Sequence, residues 1–166
     1  MANSFSIEFP NTFSELEALF LKLQRAQSAM CLTTAGLVIK AGASALVKAG
    51  TVVYAYVEGT LVTKAANTDM AALSGTVTAD MFNVFVFTIT SGGTLGTQMG
   101  TEATTLGGVV FPTIAEGKAV IGFVIINPTG TGNFVGGTTA LDDATVVPTA
   151  VYVNTPYPFL PGMQVL

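Results

Sequence analysis

Asp142 and Asp143 are the only adjacent carboxylates in the chain, and the run "GGTTAL" precedes them. Hard oxygen ligands on a flexible loop suit calcium, but the regular acid spacing of an EF-hand loop is missing here. A solvated turn accounts for the pair more simply, and no metal site is expected. The other acids are dispersed, and Glu58, Asp69, Asp80 and Glu116 fall where turns are expected. Paired carboxylates that cleave glycosides face each other across a cleft, about 5–10 Å apart. An enzyme using dispersed acids would need the fold to bring two of them that close.

Other chemistries lose their reagents. The chain has no histidine, which removes Ser–His–Asp and Cys–His nucleophile activation and most zinc and iron sites. No glycine cluster ends in GKS or GKT, and "GGTLGTQMG" (92–100) has no helix pattern after it to cradle a phosphate. Cys31 is the sole cysteine, so neither an intrachain disulfide nor a zinc site forms from thiols. Between Met30 and Leu32 it reads as a small buried hydrophobe. Tryptophan is absent, and the phenylalanines fall mostly in strand-like runs, as core rather than as a sugar platform. No catalytic residue and no cofactor are assigned.

Charge narrows the partners. Only 10% of the 166 residues are charged and half are hydrophobic, against a usual charged share of about 25%. Such a surface predicts that something covers part of it, most simply a second copy. The alternative is a monomer whose surface is polar but uncharged. Net charge is −4, and the six cations, Lys22, Arg25, Lys40, Lys48, Lys64 and Lys118, are scattered singly. Nucleic acid needs clustered cations, and so does an anionic membrane surface; neither is expected. No apolar run reaches the ~18–20 residues of a membrane helix, and "MANSFSIEFPNTF" lacks the cationic start and apolar run of a signal peptide. The expectation is synthesis in a cytoplasm, with lysis as one route of exit.

The elements that must position anything of interest follow from periodicity. Pro10 to Met30 predicts one helix, with Thr12 and Glu15 as a capping box. Phe9, Phe13, Leu16, Phe20, Leu23 and Met30 recur at spacings of four and three, with Gln27 in one slot, which is a heptad-like seam. Leu19 and Leu21 widen it. The seam packs either on its own domain or on copies of itself or another partner; three heptads do not decide.

After Met30 the pattern is that of strands. Glu58-Gly59 between Val52–Val57 and Thr60–Lys64 predicts a tight hairpin. Met81–Thr90 predicts a central strand covered on both sides, and Ala119–Ile126 a second core strand. Asn67–Gly75 reads as a connection with at most one helical turn, Ser91–Gly108 as turn-rich, the run around Pro112 as a short edge strand, and Ala144–Val153 as a strand interrupted at Pro148. Short strands with frequent turns predict a mainly β fold: an antiparallel β-sandwich or barrel with one N-terminal α-helix. The organisation expected is a helical segment 1–30 for oligomerisation or docking, a β domain 31–153 and an extended Pro-rich tail 154–166.

"NTFSELEALFLKLQRAQS", the weakly charged Gly/Thr-rich β body and "AEGKAVIGFVIINPTGTGNFVGGTTALDDATVVPTAVYVNTPYPF" together resemble small virion structural proteins of tailed bacteriophages, of the head-decoration (cement) or head-fibre type. The final third carries the specific likeness; the rest is similar in character. The resemblance implies a homo-oligomer, a trimer, on the capsid surface, with the major capsid protein or another virion protein as partner and no catalysis. Phe9, Phe13, Leu16, Phe20 and Leu23 would then mediate oligomerisation or docking. The alternative it allows is a fibre or receptor-binding component attached through the helix, with loops Ser91–Gly108 and Thr129–Thr139 as the contact surface.

Overall fold

The run NVFVFTIT carries apolar groups on both faces, and a strand of that kind needs a layer on each side. In the computed structural model, which describes residues 13–157, it is buried along its length except at Thr90. The chain runs α1 (Phe13–Ser28), β1 (Ala29–Cys31), β2 (Leu37–Ile39), β3 (Val47–Ala49), β4 (Val53–Val57), β5 (Thr60–Lys64) and β6 (Thr76–Val77). It continues with β7 (Asn83–Thr90), β8 (Leu95–Met99), β9 (Lys118–Ile126), β10 (Phe134–Val135) and β11 (Val151–Asn154).

All the strand pairs are antiparallel. One sheet has the order β11-β9-β7-β8 and another β1-β4-β5, with two-stranded pairs β2-β3 and β10-β6 beside them. The fold is mainly β and sandwich-like, with open sheet edges and no closed barrel. The main core lies between the two larger sheets. Phe85, Phe87 and Ile89 meet Cys31, Val53, Ala55 and Val57 there. Each fully buried apolar side chain of this size contributes about 1.5–3 kcal/mol. The opposite face of β7 and β9 has its own smaller cluster, Val84, Val86 and Val120, roofed by Val109, Phe111 and Ile114 from the segment after β8.

β9 serves both layers by means of a bulge. Phe87 pairs with Gly122 and Thr88 with Val120, so Ile121 is an extra residue on its strand. Before it Ala119 faces the main core; after it Val124 and Ile126 do, while Phe123 and Ile125 face the second cluster. Gly122 sits where no side chain fits. A Cβ there would overlap the Val153 carbonyl oxygen of β11 and lie 2.7 Å from Leu37 Cδ1.

The hairpin forms as the sequence predicts. Glu58 (φ 48°) and Gly59 (φ 83°) both take positive φ, as a two-residue type I′ turn requires. Several boundaries differ from expectation. The helix ends at Ser28, and Ala29-Met30 already belong to β1, because Ala29 pairs with Val57. Leu95–Met99 is a strand, held as an edge by β7. No strand forms around Pro112, where Val110 only bridges Thr101. Residues 67–75 form a connection, as expected, without a helical turn. Of the Ala144–Val153 run only the last three residues are strand, in β11, which continues to Asn154.

Candidate interaction surface

Apolar side chains on a helix face are stabilised by being covered, and α1 leaves its own uncovered. Phe13 is 93% exposed and Phe20 62%, and Leu16, Leu19 and Leu21 are also exposed. Every described side chain of α1 before Ser28 is exposed. At 3.6 residues per turn, Phe13, Leu16 and Phe20 fall within roughly 60° of one another, with Leu19 extending the stripe. Of the predicted seam, the structure therefore brings these three together on one open face. Phe9 and Thr12 lie outside the described residues, and Leu23 is described by its backbone alone.

Among the described residues the core clusters of the β body begin at Ala29 and include no side chain of α1. The helix meets the body at its end. The Glu58 N–H donates to the Ser28 carbonyl at 2.8 Å, and a shallow groove of about 300 Å³ lies between Leu21, Gln24 and Ser28 on one side and Glu58, Glu116 and Gly117 on the other. Packing of the seam on its own domain, open from the sequence, is not what the described residues do.

Three of the acids, Asp142, Asp143 and Glu102, build loops. Asp142 accepts the Ala43 N–H at 3.0–3.1 Å, where Ala43 holds a positive φ of 56°. The neighbouring Asp143 turns the other way, with Oδ1 accepting from the Thr145 and Val146 N–H groups at 2.8 and 3.1 Å. Glu102 accepts the Thr78 N–H and hydroxyl at 2.9 and 2.8 Å. Asp69 is not at a turn but bridges Lys48 and pairs with Lys40. Among the described residues no three His, Cys, Asp or Glu side chains group to hold a metal ion. Glu58 and Glu116 share the groove, but both are exposed, whereas acid–base pairs depend on one carboxyl held out of water.

Cys31 is fully buried, and its thiol donates to the Thr33 carbonyl at 3.1 Å. Burial raises its pKa above the ordinary thiol value, against smaller lowering by backbone hydrogen bonds. Tyr152 is raised too, first by burial and then by the negative charge of Asp142.

The two loops offered as an alternative contact surface are anchored to the body at a few points, and most of their side chains stay exposed or half-buried. Ser91–Gly108 contains β8, and Thr101 and Ala103 bridge to Val110 and Phe82. In Thr129–Thr139, Phe134 is fully buried and meets the Phe85 ring edge-on, centroids 5.8 Å apart.

A second apolar face is present that the sequence pattern does not announce. β4 alternates, with Val53, Ala55 and Val57 inward and Tyr54 and Tyr56 outward. Tyr56 lies between Met30 and Leu61 in register across the sheet. The signal is the pair of tyrosines in VYAYV, but a tyrosine facing water and one facing a partner read alike.

No family model, no curated protein and no solved structure matches the chain.

Proposed function

We propose that the chain is a non-enzymatic structural protein of a virion that decorates or cements the outside of a phage capsid as a homo-oligomer, a trimer, using its N-terminal helix. One observation carries the assembly part of this reading: an exposed apolar helix face attached to a β body whose core, among the described residues, includes no side chain of that helix. The capsid part is supported by the resemblance of residues 115–159 to phage structural proteins. The mechanism is mass action. A protein that binds the assembled shell, and not its dissociated parts, stabilises the shell, and attachment through several subunits of one oligomer supplies avidity.

The test is the mass of the full chain in solution by light scattering over a dilution series, followed by cosedimentation with purified capsids. A species near three times 17.0 kDa that sediments with capsids is expected. A monomer that stays in the supernatant overturns the reading.

A further inference from the structure

We infer that the outer face of the β1-β4-β5 sheet is the seat for the N-terminal helix of a second copy of the chain. This rests on the homo-oligomer proposed above and supplies the contact that would hold it together.

The face is unusual for a sheet surface in water. Met30, Tyr56 and Leu61 form one row across the three strands, and Leu32, Tyr54 and Thr63 form the next. Leu61 is 61% exposed, and Leu32, Tyr54 and Tyr56 are exposed as well. Neither row contains a charged residue. An antiparallel sheet with one wet side ordinarily puts polar groups there, and aromatic enrichment with depleted charge is the composition of an interface centre.

Its own helix does not cover this face. Ser28 ends α1 and Ala29 begins β1 with no connecting residue to turn the helix back. The described seam side chains of α1, Phe13, Leu16 and Phe20, stay exposed in the single chain. Two mainly apolar surfaces are thus left open on each copy, with Glu17 on the flank of the helix stripe. The two sheet rows bring no charge to the contact, and Glu17, on the flank of the stripe, stays at its wet rim.

The dimensions agree. Three strands at about 4.8 Å spacing make a platform roughly 10 Å wide between outer strands, and a helix with its side chains is about 10–12 Å across. A standard interface buries about 800 Å² per partner. Phe13 and Phe20 together withdraw roughly 300 Å² of this when covered, at about 200 Å² for a fully buried ring. Leu16 and Leu19 add to it. A helix-to-sheet contact joins two different surfaces, so repeated head to tail it forms a closed ring when the rotation between copies closes, and a ring of three is the trimer proposed above.

The experiment places a benzophenone-bearing amino acid at Phe20 of the full chain, mixes isotopically labelled and unlabelled copies, irradiates them and maps the cross-linked peptides. Leu61→Glu is measured in parallel by light scattering and circular dichroism. Expected are labelled-to-unlabelled links into residues 54–61, and a Leu61→Glu mass that falls to 17.0 kDa with the β spectrum unchanged. Links between residues 13–28 of different copies, with a Leu61→Glu oligomer intact, overturn this seat while leaving the oligomer standing. A monomeric parent chain overturns the oligomer and the seat with it.

Discussion

The ring of Phe111 meets Phe123 edge-on, with centroids 5.0 Å apart and planes at 87°. This pair fastens the segment after β8 over the second face of β9. Without that roof Val84, Val86 and Val120 would lie in water. Phe111→Ala is expected to cost about 2–3 kcal/mol, below the 3–5 kcal/mol of a fully buried phenylalanine because Phe111 is only half-buried. Phe111→Leu should recover most of the loss. Urea denaturation checks both.

Gly122→Ala is a sharper case. The new methyl would collide with the Val153 carbonyl oxygen, a backbone atom of the paired strand β11, and crowd the Leu37 side chain. A loss of about 1–3 kcal/mol is expected. Gly107→Ala, with open space around its Cβ, should stay within about 0.5 kcal/mol of the parent. Equal effects at the two positions would mean that the approach of β11 to β9 is looser than described.

The helix face should matter for assembly and not for folding. Leu16→Lys with Phe20→Lys replaces two exposed side chains, so the unfolding free energy of the β body should change by no more than about 0.5 kcal/mol per site. Its mass in solution should drop to that of one chain. A large loss of stability with unchanged mass would show that the seam packs on its own body.

Alkaline pH should unfold the protein through two groups. Cys31 and Tyr152 both have folded pKa values raised above 9.0 and 10.0, their ordinary values. Each folded state therefore holds its proton more tightly than the unfolded chain. The associated stability is fully present below those ordinary values and is lost as pH rises through the folded ones. Melting temperature should be flat near neutrality and fall above about pH 9–10. Tyr152→Phe should shallow the fall, and native Cys31 should resist thiol reagents that modify it readily in urea.

Asp142→Ala removes the acceptor for the Ala43 N–H. A loss of about 0.5–1.5 kcal/mol is expected for one exposed hydrogen bond. Because the carboxylate is already engaged, millimolar calcium should leave the melting temperature of the parent chain unchanged.

What the sequence makes legible is what local chemistry determines. Glu58-Gly59 can only be a tight turn, and NVFVFTIT can only be covered on both sides. Leu95–Met99 escapes because LGTQM has no alternation; it is half-buried throughout, and β7 imposes the strand by pairing. Thr145-Val146-Val147 fails in the opposite sense. Its residues favour strand, but Asp143 gathers their three N–H groups into a turn and delivers Val147 to the core from there. The seam of Phe13, Leu16 and Phe20 is legible from spacing. That it stays open is not, because exposure depends on where β1 begins.

The bulge at Ile121 has a consequence for the reading frame of its strand. In most sheets the contrast between a greasy side and a wet side tells a strand which way to lie. β9 has two greasy sides, so Phe123 and Ile125 could trade layers with Val124 and Ile126 at little hydrophobic cost. Gly122 breaks that degeneracy, because it alone fits beneath Val153 and Leu37. A residue with no side chain thereby acts as the punctuation that keeps the longest of the described strands in phase.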